Sequence, residues 1–429
     1  MNNILHTLFG FDKKQHKVLT ELLAGLTTFI AMAYILVVNP SMLKVVGMDE
    51  GAAFTATLLA AVVGTLLCAI YAKLPYVQAP AMGPNAFFAF TICLSMGYSW
   101  QFALTGVLIE GILFVILSVT RVREWLAKLI PESIKIALGI GVGIFIAMLG
   151  LTNAHVVVAD AGTIVGLGDI AHGEALLALI GILITAILSV RRIPGALLIG
   201  IVLTTLIGIP MGVTKIPEHW VSLPPSLSPV FCQFDFSQVL TLDMLIVVLT
   251  MLSMDIFDTL GTILALTSKT GQLPPKTFNR ALMCDALATT LGAVLGTTTV
   301  GTYVESSVGM AYGGKTGLTS FTTAMLLLLC LFLAPVFLII PAAAVAPALF
   351  LVGVGMMYMF RQLLIKDDPT ELIPAILTVL IIPFTFSIAN GIIFGLLSYC
   401  VINLFTSGFK KLSWPMLILT ALLMLKFFI

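Results

Sequence analysis

Charge is what this sequence has least of. Only 10% of its 429 residues are Asp, Glu, Lys or Arg, where a soluble domain carries about 25%. The 21 basic and 20 acidic residues leave a net charge of +1, and no basic tract is present, so nothing supports nucleic-acid binding. Cysteine is sparse as well: Cys68, Cys93, Cys232, Cys284, Cys330 and Cys400 are scattered, mostly in apolar runs, and no pair has metal-ligand spacing. They read as packing residues. None of His6, His16, His155, His172 and His219 is placed like a metal ligand, and no Ser/His or acid-pair arrangement suits an enzyme. No metal, cofactor or catalytic group is therefore expected. What is plentiful is apolar: 59% of residues are hydrophobic, which implies an all-α, multi-pass membrane protein. The first long apolar run begins near Leu19, after a polar, Lys-containing stretch, and is long enough to stay in the bilayer, so no cleaved leader is expected.

Fourteen apolar segments can be drawn, near 19–39, 52–72, 76–95, 100–119, 132–151, 173–190, 194–212, 243–266, 280–296, 298–313, 318–340, 343–360, 371–389 and 391–407. A tail at 415–429 contains Lys426 and is expected to lie along the membrane surface. Basic residues test the count. Lys13, Lys14 and Lys17 precede the first segment. Lys73 follows the second, Arg121, Arg123 and Lys128 the fourth, and Arg191 and Arg192 the sixth. Lys269, Lys276 and Arg280 follow the eighth, Lys315 the tenth, Arg361 and Lys366 the twelfth, and Lys410 and Lys411 the last. The alternate loops hold only Lys44 and Lys215. By the positive-inside rule both termini are cytoplasmic.

Seven segments per half would run the second half opposite to the first, as in an inverted repeat. Weak echoes support one. Ile130-Pro131 followed by Gly141-Val-Gly143 returns as Ile340-Pro341 followed by Gly353-Val-Gly355, and Ile193-Pro-Gly-Ala196 is echoed by Ile388-Ala-Asn-Gly391. Thr27-Thr28 in segment 1 answers the polar stretch of segment 8. These glycines could let helices pack closely at a moving surface, or serve ordinary packing.

That polar stretch, Ser253-Met-Asp-Ile-Phe-Asp-Thr-Leu-Gly-Thr262, interrupts an otherwise apolar run from Met244 to Leu266. Asp255 and Asp258, three apart, project from one helical face, with Thr262 a turn further along. A charge at bilayer depth costs roughly 3 kcal/mol on insertion scales. The pair is either bonded structurally to neighbouring helices or forms a substrate or proton site, and intramembrane acids favour the second reading.

Segments 3 and 10 cannot be ordinary helices. In Ala79-Pro-Ala-Met-Gly-Pro-Asn-Ala-Phe87, each proline pushes its predecessor toward extended backbone, and a half-helix can begin at Pro84. In Thr297-Thr-Thr-Val-Gly-Thr-Tyr-Val-Glu305 the β-branched residues favour a strand, with a half-helix beginning around Val304. Extended backbone at membrane depth must pair within protein or line a cavity. Two short antiparallel strands meeting near the midplane are expected, each feeding a half-helix whose first N–H groups are unpaired. Glu305 opens the second half-helix; the dipole gain there, under about 1 kcal/mol, does not cover its insertion cost, which favours a binding role. Asn85 either bonds a ligand or caps the adjoining backbone. Glu110 and Asp285, on unbroken helices, favour an interhelical hydrogen bond or a protonated structural role over a place in the site.

Three carboxylates with no basic partner deep in the membrane suit a ligand that donates hydrogen bonds and is coupled to a cation. A nucleobase fits, with Phe87 or Phe257 stacking on its face. An acid that takes up a proton on one side and releases it on the other would supply the drive. The alternatives are another solute or an anion carried on the same fold, or a cation channel.

At these residues the chain resembles nucleobase–cation symporters of the xanthine/uracil permease superfamily, in the azaguanine-resistance-like purine branch. Four motifs carry the resemblance: Ala24-Gly-Leu-Thr-Thr-Phe-Ile-Ala-Met-Ala-Tyr34, Ala79-Pro-Ala-Met-Gly-Pro-Asn-Ala-Phe-Phe-Ala-Phe90, Phe257-Asp-Thr-Leu-Gly-Thr262 and Thr302-Tyr-Val-Glu-Ser-Ser307. The resemblance implies a seven-plus-seven inverted repeat split into a core domain (1–120 and 241–340) and a gate domain (121–240 and 341–411), followed by the tail 412–429. It implies import of adenine, guanine or hypoxanthine across the cell membrane by proton symport, with a tilt toward adenine, and a homodimer. Asp258 and Glu305 match the acids that hold the base, and Asp255 matches a second segment-8 acid expected in proton coupling with them. Met82, Gly83, Pro84, Asn85 and Phe87 match the segment-3 substrate motif, with Thr28 facing it from segment 1. Related uracil and xanthine transporters carry Glu at the Asp258 position and His or Asp at that of Thr262; that departure leaves the proton path open here, with Asp255 able to supply what the other branch places one turn later.

Overall fold

The computed structural model describes residues 2–119, 131–160, 162, 164–216, 219–270, 273–364, 368–385, 387–407 and 412–424. Arg121, Arg123, Lys128, Lys366, Lys410 and Lys411, used above to orient the chain, lie outside the described residues, as do Ile130 of the repeat, Lys426 of the tail and the side chain of Phe257.

Helix, or strand followed by helix, occupies each apolar stretch read from the sequence. Among the described residues, seven helices are long and apolar enough to cross a membrane: Val18–Lys44, Glu50–Ala72, Trp100–Val119, Glu132–Asn153, Gly173–Val190, Gly317–Leu338 and Ala342–Leu363. Shorter apolar helices include Met82–Ser95, Ala196–Gly208 and Pro369–Thr385. Leu242–Thr270 and Pro275–Leu295 are continuous helices despite carrying Asp255, Asp258 and Asp285. The tail forms a helix over Trp414–Met424. Large side chains on the outer faces, among them Leu183, Val190 and Phe405, are exposed, as lipid-facing residues are.

Local chemistry sets the boundaries. Asp49 caps the Glu50–Leu67 helix by accepting from the Ala52 amide at 2.7 Å. Pro131 and Pro341 occupy the N-cap positions of Glu132–Asn153 and Ala342–Met357, where a missing N–H costs nothing. Those two helices pack backbone to backbone. A Cβ added at Gly353 would meet the Gly143 carbonyl at 2.3 Å, and one at Gly143 would meet the Gly353 carbonyl at 2.7 Å. The expectation of close glycine packing holds at this pair. Gly141 instead faces Ile382, and Gly355 has nothing within 4 Å.

Two features were not legible in the sequence. The chain between Asn153 and Gly173 folds into an antiparallel hairpin, β2 (Val157–Asp160) with β3 (Ile164–Leu167). Phe87–Ser95 winds as π-helix, a form that locally widens the turn and is frequent at functional sites.

Candidate functional site

The two interrupted segments meet. Strand β1 (Gln78–Pro80) pairs antiparallel with β4 (Val300–Thr302) in the register Gln78↔Thr302, Ala79↔Gly301, Pro80↔Val300. The Ala81 amide to the Thr299 carbonyl and the Tyr303 amide to the Val77 carbonyl, both 2.9 Å, extend the ribbon at its ends. A two-stranded ribbon has two open edges, and buried open edges are costly. One threonine from each flanking helix closes them. Thr65 bonds the Gln78 amide at 3.0 Å and its carbonyl at 3.2 Å, while Thr289 bonds the Val300 amide at 3.2 Å and its carbonyl at 2.9 Å.

Short helices leave each strand. The first begins at Met82, two residues before the expected Pro84; the second begins at Ser306, with Glu305 at its N-cap position. The supply of free amides at the second is smaller than expected. A tight turn lets the Ser306, Ser307 and Val308 amides bond the Tyr303, Val304 and Glu305 carbonyls at 3.1, 2.9 and 2.9 Å.

The acids divide into two groups. Asp258 has exposed surface although protein surrounds it. Glu305 is half-buried and accepts from the Tyr34 hydroxyl at 2.9 Å. Asp258 lies close enough to Glu305, Tyr34 and Tyr303 to act on each electrostatically. The Tyr303 hydroxyl donates to the Pro80 carbonyl at 2.5 Å, so this cluster is tied to the end of β1.

Asp255, by contrast, is fully buried. The expectation that Asp255 and Asp258 share one face is too coarse: three residues at 3.6 per turn leave them about 60° apart around the helix. That rotation turns Asp255 toward the Trp100–Val119 helix, where its carboxyl is in hydrogen-bonding contact with that of Glu110. Thr299, immediately before β4, donates to Glu110 Oε2 at 2.8 Å. Asp255 Oδ1 stands 3.8 Å from where a Cβ on Gly301 would be, against the middle of the strand crossing. Asp285 binds both strands at once, accepting from Gln78 Nε2, from Thr302 Oγ1 at 2.6 Å and from Thr259 Oγ1. This is the interhelical bonding expected of it.

The other residues singled out from the sequence are distributed unevenly. Gly83 is half-exposed, a Cβ added there would meet Met254 at 3.5 Å and Val142 at 3.6 Å, and Met82 and Pro84 are buried beside it. Asn85 is engaged at both ends: its amide nitrogen donates to Asn39 and its oxygen accepts from Thr298. Asn39 in turn donates to Thr57 at 2.6 Å and to Thr297 at 3.0 Å. Phe87 sits wholly within the core. Thr28 is buried against Gly309 and donates to the Ala24 carbonyl at 3.0 Å. Thr262 is half-buried a turn beyond Asp258.

Tyr34, Asn39 and Gln78 were not foreseen. Two carried a usable signal: Asn39-Pro40 and Gln78 are polar interruptions of apolar runs at bilayer depth. Tyr34 carried less, since a tyrosine in such a run also fits packing. Among the described residues no cluster of three or more His, Cys, Asp and Glu is arranged to hold a metal ion.

Comparison with known proteins agrees with this architecture. The sequence profile of the permease family, the group named for xanthine and uracil permeases, matches residues 19–394. The permease designated MJ0326 from Methanocaldococcus jannaschii is 45% identical over 98% of this chain and 97% of its own. The adenine permease AdeQ of Escherichia coli is 37% identical over 98% of this chain and 96% of its own. The guanine/hypoxanthine permease PbuG of Bacillus subtilis is 38% identical over 92% and 93%. Among solved structures, the transmembrane domain of the cyanobacterial bicarbonate transporter BicA superposes with a TM-score of 0.67, covering 88% of this chain and 97% of that one at 19% identity. At that identity the likeness speaks to the fold.

Proposed function

Because the chain belongs to the xanthine/uracil permease family, we propose that it imports purine nucleobases across the cell membrane by proton symport. It is an integral membrane transporter and not an enzyme. The observation that carries the substrate reading is the pairing of the exposed Asp258 with Glu305 beside the strand crossing, with no basic side chain bonded to either among the described residues; in this reading the two acids line a water-filled substrate cavity. Two carboxylates accept hydrogen bonds, and the ring and amino N–H groups of a purine donate them. Adenine and guanine/hypoxanthine permeases stand among the relatives, which supports a purine over other donors.

In this reading Asp258 and Glu305 hold the base while Met82, Gly83 and Pro84 shape the pocket floor. Asn85, Phe87 and Thr28 hold the half-helices in register around it. Tyr34 orients Glu305. The proton is carried among Asp255, Asp258 and Glu305. The paired roles of Thr65 and Thr289 at opposite ribbon edges, and of Pro131 and Pro341 at two helix starts, support a seven-plus-seven inverted repeat of fourteen segments. The core halves (1–120, 241–340) would carry the site past the gate halves (121–240, 341–411), with both termini cytoplasmic and the protein a homodimer.

The test is uptake of radiolabelled adenine, hypoxanthine, guanine, xanthine and uracil into cells lacking their own permeases, with and without a protonophore. Saturable purine uptake that collapses with the proton gradient is expected. Uptake of none of them, with the protein present in the membrane, would refute the substrate reading. An anion carrier on this fold would instead keep or gain transport when Asp258 and Glu305 are neutralised.

A further inference from the structure

Resting on the proton-symport reading above, we infer that Glu110 is a second proton-holding residue: its carboxyl and that of Asp255 share one proton in a buried pair beside the strand crossing. Both side chains are fully buried. Thr299 donates to Glu110 Oε2 at 2.8 Å, but among the described residues no hydroxyl, amide or cation donates to Oε1. What Glu110 faces is the Asp255 carboxyl, at hydrogen-bonding range. Two carboxylate oxygens at that range repel unless a proton lies between them, as in any dyad of facing acids. One proton balances the site: with it the pair carries a single negative charge, and without it two.

Other ionisable groups are placed around the pair. Asp285, on the adjoining helix, is engaged by Gln78, Thr302 and Thr259, and the Thr259 hydroxyl also lies 3.4 Å from Asp255 Oδ1, so it stands between the two acids. Asp243 accepts from Tyr98, and twelve residues separate it from Asp255, about 18 Å along the helix. Lys269 lies fourteen residues from Asp255 in the other direction, about 21 Å. Gly111, next to Glu110, packs on Thr290, which puts Arg280 about 15 Å away along its helix and Lys276 further still. Cys93, in the π-helical stretch, and Cys284, buried on the helix that carries Asp285, are the remaining ionisable groups on the described elements packed around Glu110.

The pair is positioned to report its charge to the site. Thr299 joins Glu110 to β4, its carbonyl accepts from Ala81 just after β1, and β4 leads into Glu305. Asp258, one helical turn from Asp255, opens the pair's own helix to the cavity, and the proton enters and leaves by that wall. Losing it sets two carboxylates against each other and drives Glu110 and Thr299 apart from Asp255. Gain and loss of one proton thereby act on the strand crossing that carries the substrate acids.

Glu110→Gln tests this, because a glutamine amide donates permanently to Asp255 and fixes the pair in its singly charged state. Infrared difference spectra of the purified protein in lipid, between low and high pH, report protonated carboxyls directly. The wild type should show a buried carboxylic C=O band that disappears as pH rises. That band should be absent from both Glu110→Gln and Asp255→Asn, present in Asp258→Asn, and restored at a shifted frequency in Glu110→Asp. In proteoliposomes Glu110→Gln should keep purine counterflow while accumulation driven by an imposed pH gradient falls at least ~tenfold. A carboxylic band unchanged in Glu110→Gln overturns the inference, whatever the uptake data show. The predicted bands in a protein that accumulates no purine would leave the shared proton standing and remove the symport reading instead.

Discussion

Asp285 is the point at which the strand crossing depends most on one side chain. Gln78 opens β1, Thr302 closes β4, and the two are cross-strand partners; both donate to Asp285 Oδ1, while Thr259 donates to Oδ2. Removing the carboxyl by Asp285→Ala leaves three buried donors. The Gln78 amide cannot turn into an acceptor without giving up its own geometry, and it bears a full cost of about 1–3 kcal/mol. The two hydroxyls can rotate toward other oxygens, so each loses about 1 kcal/mol. The sum is about 3–5 kcal/mol of stability. Asp285→Asn behaves differently. Its oxygen can stay on Gln78 and Thr302, its NH2 can donate to the Thr259 hydroxyl, and the loss of charge assistance is offset by removing a charge from the membrane interior. Thermal unfolding of the detergent-purified protein should therefore show a clear drop for Ala and little change for Asn. An Ala variant that melts with the wild type would refute the clamp, and an Asn variant as unstable as Ala would show that charge, not bonding, matters at this position.

Three further outcomes follow from the same geometry. Asp258→Asn should abolish purine uptake while the protein reaches the membrane in normal amount and melts no lower than wild type, since Asp258 is exposed and clamps nothing; immunoblots of membranes beside uptake kinetics check it. Tyr34→Phe removes the hydroxyl that donates to Glu305 at 2.9 Å. A hydrogen bond to a charged group is worth about 1.5–3 kcal/mol, so the uptake KM should rise roughly tenfold or more with membrane abundance unchanged. Gly353→Ala would bring a Cβ within 2.3 Å of the Gly143 carbonyl and should cost about 1–3 kcal/mol by overpacking, whereas Gly355→Ala, with open space around it, should be neutral in the same melting assay.

How far these predictions could be drawn without coordinates differs from residue to residue. Pro80 and Pro84 forbid a through-going helix, and Thr297 to Tyr303 favours a strand, for reasons confined to each residue and its neighbour; the breaks at 78–80 and 300–302 are where those rules place them. The pairing of the strands was legible too, because bare extended backbone in a bilayer has to find a partner. The half-helix starts were legible only to within about two residues. The β2–β3 hairpin went unread because a loop of some twenty residues between apolar helices can satisfy its backbone with water or with itself.

The site acids show where the division lies. That Asp255, Asp258, Glu305, Glu110 and Asp285 all sit within apolar runs, and so need partners, follows from composition and the cost of burying charge. Which partner each finds does not. Asp255 meets Glu110, 145 positions earlier in the chain, because the helix at 242–270 packs against the helix at 100–119; the same packing leaves Asp258, one turn on, exposed. Asn85, open from sequence between ligand contact and local capping, is engaged by Asn39 and Thr298 from two distant segments. Local rules reach one or two turns of backbone, so the sequence by itself determined where helices break and which positions carry charge into the membrane. The environment of a carboxylate is set by atoms within a few ångströms in space, and only the tertiary packing decided which acids became a clamp, which a buried pair, and which stayed exposed.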